Sequence, residues 1–432
     1  MNLMADRMSN LGSENAFKVG EDIKRCEQMG IDVVRFNLGE PDFNSPEFVN
    51  RVAIEHINKG NSHYCPPGGI EPFRNAIAKH ISETRKIKVL PNQVVVTPGA
   101  KPPIGYSLMT YVNAGDEVIY PSPGFPIYES FITFVEAKPV PLHLDEARGF
   151  SFTTEDLEKL ITPRTKMIFL NSPSNPTGGV LAEEELRKMA EVINRKCGPH
   201  VRVFSDEVYE HILYDGLKHF SIISQPGMQE RTILVTGHSK SFAMTGWRLG
   251  YAVLPTVEEA EVFKNLNINQ ISCTPPFIQE AGREAYENPE SQKFITNMNQ
   301  TFLKHRDYII KTLNSIKKVA YAMPKNTFYM FPNINSVCEQ IRTIEAFKKL
   351  PTDQAIRSSP STLFQRFLLY RYGVATMDRR SFGRMSSEGK HFLRISTATS
   401  LGNLKKGVGL LEKASKDRQG FASFIQENKF VV

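Results

Sequence analysis

The sequence predicts an α/β fold: a large domain on a mostly parallel sheet, with a smaller α+β domain beside it. Three observations carry this expectation. Short apolar, β-branched runs recur between helical patterns over the first 256 or so residues. Several of these runs are apolar throughout, as strands covered on both faces are. Beyond that point such runs become sparse and long helical patterns take over, so a second domain begins there; a chain of 432 residues is in any case too long for one small core.

In chain order, the expected strands are Val33–Leu38, Gln93–Thr97, Glu117–Tyr120, Lys166–Leu170, Arg202–Ser205 and Ile233–Thr236. Two more, Phe328–Phe331 and Phe392–Ile395, belong to the later segment. Amphipathic helices lie between the strands. Phe73, Ile77 and Ile81 recur at i, i+4 and i+8, and Leu186, Met189, Ala190 and Ile193 form a second stripe. Thr153 and Asp156 resemble a capping box ahead of Leu157 and Leu160, with Asp in place of the usual Glu. The polar, basic stretch Thr343–Gln365, with Pro351 and Pro360, reads as an inserted helix and loop on the surface.

Composition excludes several classes. The net charge of +7 is spread along the chain without a dense basic block, so no nucleic-acid footprint is expected. Cys26, Cys65, Cys197, Cys273 and Cys338 are odd in number and scattered, with no CxxC pair. That argues against a disulfide framework or a zinc knuckle and for a reducing, cytoplasmic location; no metal site is expected. No basic-then-apolar leader opens the chain, and Asp6 and Glu14 fit an organelle presequence poorly. No apolar run approaches the ~20 residues that span a bilayer.

In an open parallel sheet, ligands bind beyond the carboxyl ends of the strands. Four expected strands deliver unusual polar residues there: Gly99-Ala100-Lys101, Asn171–Gly178, Asp206-Glu207-Val208-Tyr209, and Lys240. The run Thr236–Tyr251 holds Lys240 and, eight residues on, Arg248. An amine can form a Schiff base with an aldehyde. A guanidinium grips a phosphate with two charge-assisted hydrogen bonds. Pyridoxal 5′-phosphate (PLP) offers both handles, and its chemistry is mostly on amino acids.

Eight segments then resemble the class I/II, fold-type I PLP-dependent aminotransferases: NLGEPDF (37–43), YCPPGGI (64–70), TPGAK (97–101), PSPGFPIY (121–128), NSPSNPTGG (171–179), SDEVYEH (205–211), SKSFAMTGWRLGY (239–251) and FLRIS (392–396). The similarity runs from about Glu14 to about Ser415. It implies the PLP-dependent transferase fold, with a large domain over 45–300 and a small domain formed by both termini, 1–44 and 301–432. It also implies a homodimer.

Residue by residue, Lys240 matches the Schiff-base lysine and general base, and Asp206 the partner of the pyridine nitrogen. Tyr209 and Asn175 match the donors to the ring's phenolic oxygen. Asp206 also suits a helix N-cap, and Asn175 a turn before Pro176. Arg248 matches the phosphate arginine. Ala100 and Lys101 offer backbone N–H groups at a helix start, where Pro102 fits the first turn. Ser239 is a further phosphate contact, Phe125 the ring that stacks on the pyridine, and Tyr64 a phosphate contact supplied to the neighbouring subunit. Arg394 matches the clamp on the substrate α-carboxylate. Gly39 matches a backbone position over the substrate.

The resemblance implies ping-pong transamination between an L-amino acid, with aspartate favoured, and a 2-oxo acid such as 2-oxoglutarate. Aromatic or alanine transamination and β-elimination at a C–S bond remain as alternatives. A PLP-binding regulator is a remote one, because Lys240 is intact. A dicarboxylate needs a second cation facing Arg394; Arg379, Arg380 and Lys101 are the candidates, with solvated positions as the alternative for each. The departures from the family pattern are His238, which either touches the cofactor or packs, Met377-Asp378-Arg379-Arg380 before Ser381, Asn326 where glycine is common, and the stretch Thr343–Gln365.

Overall fold

The computed structural model describes residues 3–12, 15–316, 319–383 and 389–427. Glu14, where the family resemblance begins, lies outside them. The strands are β1 (Val34–Arg35), β2 (Val94–Thr97), β3 (Glu117–Ser122), β4 (Lys138–His143), β5 (Thr165–Asn171), β6 (Arg202–Asp206), β7 (Thr232–Gly237), β8 (Gly250–Val253), β9 (Tyr329–Met330), β10 (Val374–Ala375), β11 (Met377–Asp378) and β12 (Leu393–Ser396).

Seven of them form the main sheet, in the order β2-β8-β7-β6-β5-β3-β4. All its pairings are parallel except those of β8, which runs against both β2 and β7. The apolar runs follow from cover on both faces. Val118, Tyr120, Met167, Phe169 and Phe204 point into one core, and Ile119, Ile168, Leu170 and Val203 into another. Alternate residues of a strand face opposite ways, so a strand between two layers of helices has no polar side.

Both expected helical stripes are buried, on Glu71–Arg85 and Glu183–Lys196. The capping box is present: Thr153 N donates to Asp156 Oδ2 (3.1 Å) and Asp156 N to Thr153 Oγ1 (3.1 Å). Two strands of the main sheet escaped the sequence reading, as did β10 and β11 outside it. Pro139 and Pro141 lack N–H groups, and β4 tolerates them as an edge strand paired only with β3. The other, β8, is four residues long and opens on Gly250.

The remaining strands pair elsewhere. β1 lies parallel to β10, and β12 sits between β11 and β9. A core packed on these strands joins Val34 and Phe36 to residues from Ile309 to Phe424. The helix Ser291–Leu313 links the two units, placing Ile295 in a core of the main sheet and Ile309 and Leu313 in the second core. The stretch 343–365 is not simply an exposed insertion. Its last residues open the helix Pro360–Tyr372, where Leu363, Phe364, Phe367 and Leu368 are core.

Candidate active site

The parallel strands end along one rim, and a cleft of about 570 Å³ opens there. Ala100 and Lys101 enter it after β2, Phe125 and Tyr128 after β3, and Asn171 and Asn175 at the end of β5 and beyond. Asp206 closes β6 with Tyr209 three residues on, and Ser239 and Lys240 follow β7. β8 runs the opposite way, so it contributes from its start, where Arg248 precedes Gly250. β12 adds Arg394, and the segment after β1 adds Gly39.

Lys240 stands on the short helix His238–Ser241, and its Nζ donates to the carbonyl oxygen of Gly39. A Cβ at Gly39 would fall 2.3 Å from the Tyr329 hydroxyl oxygen, so only glycine lets this backbone come so close. Asp206 is buried. Burial pushes its carboxyl up from 3.8 to about 6, against the hydrogen bond from Tyr128, a backbone N–H and the charge of Lys240. Tyr128 donates to Asp206 Oδ2 at 2.5 Å, and the Val208 N–H reaches Oδ1 at 3.3 Å. The hydroxyls of Tyr209 and Tyr329 are 2.9 Å apart. Burial, then Tyr329, hold the Tyr209 phenol well above its ordinary range, so it stays a donor.

Arg248 has a left-handed backbone (φ 56°), and its Nη1 donates to the Thr245 carbonyl at 2.8 Å. Gly99 makes room for it: a Cβ there would lie 2.3 Å from Arg248 Nη2, and its φ of +89° suits glycine. Arg394 is 5% exposed. Its Nη1 donates to Asn175 Oδ1 (3.1 Å) and its Nη2 to the Asn37 carbonyl (2.6 Å). The guanidinium lies over the rings of Tyr329 (4.4 Å) and Phe382 (4.9 Å). Its Nε is buried without a hydrogen-bond partner among the described residues. An N–H left so is costly unless a ligand accepts from it.

Among the described residues, Lys240, Lys101, Arg248 and Arg394 line this cleft with only Asp206 and Glu40 as acids. Such a site suits an anion carrying both a phosphate and a carboxylate, with one embedded acid for a ring nitrogen.

The chain matches the family model for aminotransferase class I and II over residues 31–411. The chain belongs to that family. It is therefore an aminotransferase, and the family works with PLP. A probable aspartate/prephenate aminotransferase from Aquifex aeolicus is 34% identical over 96% of this chain and 99% of its own. An aromatic-amino-acid aminotransferase 2 from Thermococcus litoralis is 32% identical over 90% of this chain and 94% of its own. Among solved structures, the aspartate aminotransferase of Rhizobium meliloti is 31% identical, covers 96% of this chain and 99% of that one, and superposes with a TM-score of 0.83. The aspartate aminotransferase of Thermus thermophilus solved with maleate is 28% identical, covers 96% of this chain and 100% of that one, with a TM-score of 0.84.

Of the residues expected at the site, all but Tyr64 line the cleft of this aminotransferase. Tyr64 is 88% exposed, so it is not a core tyrosine of its own chain. Neither Arg379 nor Arg380 lines the cleft. Arg379 is not solvated either: it is buried and donates to the carbonyls of Phe382 and Gly383 and to Ser122 Oγ. Arg380 donates to the carbonyls of Ser358 and Ile356. Lys101 alone of the three candidates faces the site.

His238 packs. It is fully buried against Phe73, Phe242 and Tyr286, and burial drives its imidazole down to about 3. Asn326 ties down the loop after β5 by donating to the carbonyls of Gly178 (2.8 Å) and Gly179 (3.0 Å).

Sequence reasoning gave no role to Tyr128, Tyr329 or Asn171, though it placed Asn171 on the rim. Tyr128 lies on the helix Pro126–Phe134, one turn past Phe125, and that spacing on the rim side of β3 was the available signal. Asn171 supports its neighbours: its Oδ1 accepts from Asn175 N (2.9 Å), and its Nδ2 donates to the Asp206 carbonyl (3.2 Å).

Proposed function

We propose that this aminotransferase holds PLP in the cleft and transfers the amino group of L-aspartate to 2-oxoglutarate. The observation that carries the reading is the gathering of Lys240, Asp206, Arg248, Arg394 and Lys101 around one cleft. The unpartnered Nε of Arg394 and the room that Gly99 leaves beside Arg248 fit a carboxylate and a phosphate.

Bound there, the cofactor supplies an aldehyde that condenses with amines and a pyridine ring that takes up electrons. Asp206 stays ionised beside a protonated ring nitrogen, and Tyr128 fixes the direction of that carboxylate. Arg248 and Ser239, with the N–H groups of Ala100 and Lys101, hold the phosphate. Asn175 and Tyr209 would donate to the phenolic oxygen, and Phe125 would cover the ring face. Arg394 grips the substrate α-carboxylate and so sets which Cα bond is broken. The Lys240 amine would be the base that takes the proton from the substrate Cα.

Lys101 is the second cation that a dicarboxylate requires. Three of the similar proteins carry aspartate in their names, and one of them was solved with maleate, itself a dicarboxylate. Tyr64 serves the neighbouring subunit of a homodimer, and its exposure in the single chain supports that role. The shared core of Val34, Phe36 and residues 309–424 supports a small domain built from both termini, 1–44 and 301–432, around a large domain at 45–300. The five cysteines are free, which supports a cytoplasmic location.

A half-reaction screen tests the substrate. The yellow holoenzyme is mixed with single amino acids while its visible absorbance is followed. Aspartate and glutamate are expected to bleach it fastest. A preference for phenylalanine or tyrosine overturns the dicarboxylate reading and favours an aromatic donor.

A further inference from the structure

Beyond the residues that line the cleft, the segment that bears Asp206 and Tyr209 continues into Glu210 and His211. His80, on the helix Glu71–Arg85, faces them. One ligand atom from each of His80, Glu210 and His211 lies within 4.8 Å of the others. Both imidazole Nε2 atoms stand 4.0 Å from Glu210 Oε2. The Nε2 of His80 is buried and has no hydrogen-bond partner among the described residues, and its ring stacks on Tyr286 at 4.3 Å. We propose that His80, Glu210 and His211 form a binding site for a first-row divalent cation of the zinc type.

The donor set points to that class. Two imidazoles and one carboxylate suit zinc, cobalt or nickel, whereas calcium and magnesium take oxygen. Three protein ligands leave a fourth position for water. Metal–ligand bonds of about 2.0–2.1 Å in a tetrahedron put ligand atoms about 3.4 Å apart. Side-chain rotations that close each gap by less than about 1.5 Å reach that spacing.

The charges also fit. Glu207 and Glu210 share the single guanidinium of Arg85, whose Nη2 lies 2.7 and 2.5 Å from their Oε2 atoms. His219 Nε2 also lies 2.7 Å from Glu207 Oε2; with all three histidines neutral, two carboxylates face one cation, and the cluster keeps one negative charge. Glu210 Oε2, which accepts from Arg85, is also the oxygen nearest both histidines, while Glu210 Oε1 accepts from Thr236. Burial holds His80 down at about 4 and lowers His211, and Arg85 helps keep Glu210 ionised. Neutral imidazole and ionised carboxylate are the forms that bind a metal. His80 and His211 keep 17% and 23% of their side chains exposed, so the cluster lies close to the surface.

The site lies four residues from Asp206, so an ion there would brace the segment that carries two active-site residues. It departs from the sequence expectation of no metal because its ligands come from elements 130 residues apart. The test uses the holoenzyme, free of any affinity tag. Zn(II) is titrated by calorimetry and Co(II) by its visible d–d absorbance. The expected result is one ion per chain, with affinity weakened at least about tenfold in His211→Ala and again in His80→Gln. A Cys65→Ser/Cys273→Ser variant should bind as the parent does. Retained cofactor absorbance identifies the folded variants, and either histidine variant alone suffices. The proposal is overturned if the parent shows no saturable binding below about 100 μM metal. It is equally overturned if a folded histidine variant binds unchanged, or if the cysteine variant is the one that loses the ion.

Discussion

Replacing Asp206 by Asn should stabilise the cofactor-free protein at neutral pH while abolishing its activity. The folded chain holds this carboxyl at about 6 rather than 3.8, chiefly through burial. Its folded-state value lies above its unfolded one, so the folded chain binds the extra proton between those limits. The stability tied to this group is therefore full below about pH 4 and lost as pH rises through about 6. At 1.36 kcal/mol per pH unit, that loss is about 3 kcal/mol at pH 8. Asparagine carries no charge and keeps an oxygen for the Tyr128 hydroxyl. It gives up the charge-assisted part of that bond and the oxygen facing the Val208 N–H, together about 1–2 kcal/mol. The net gain is about 1–2 kcal/mol, or roughly 1–2 °C in melting temperature for a chain of this length. Calorimetry of the two apo-proteins from pH 4.5 to 8 measures it. The difference should grow with pH, and added PLP should reverse it, because the carboxylate then gains the ring nitrogen as its partner. An asparagine variant less stable than the parent at pH 8, or a difference independent of pH, refutes the reasoning.

Three other substitutions probe the cleft. Tyr128→Phe removes a hydrogen bond to a buried charge worth about 1.5–3 kcal/mol, so the acid limb of kcat/KM against pH should move up by about 1–2 units. Arg394→Lys loses the planar fork and the ring stacking, so kcat/KM for the amino acid should fall at least about 100-fold while cofactor absorbance is unchanged, as steady-state kinetics and a spectrum would report. Gly99→Ala forces a Cβ into Arg248 Nη2 and strains a φ of +89°. At about 1–3 kcal/mol, PLP affinity measured by fluorescence titration should weaken roughly 10- to 100-fold.

Much of this was legible in the chain because the physics was local. A strand covered on both faces must be apolar along its length, and β3, β5, β6 and β7 announced themselves that way. The residues after them were legible as a rim because parallel strands end together. β4 was hidden by its two prolines, which only an edge position permits, and β8 by its brevity. Tyr128 was hidden for another reason: its partner Asp206 is 78 residues away, and nothing in the tyrosine's neighbourhood declares that contact. Thr343–Gln365 was misjudged because its polar first part masks Leu363 and Phe364, which face the second core. Arg379 was misjudged because backbone carbonyls, invisible in a sequence, accept its hydrogen bonds.

The central claim is that the amine of Lys240 holds the cofactor. Borohydride fixes an aldehyde-bearing cofactor onto the lysine that carries it, and peptide mass mapping then names that lysine. One phosphopyridoxyl group on the peptide containing Lys240, absent in Lys240→Ala, is the predicted result. A label on Lys101 or any other lysine, or no label on the yellow protein, contradicts it.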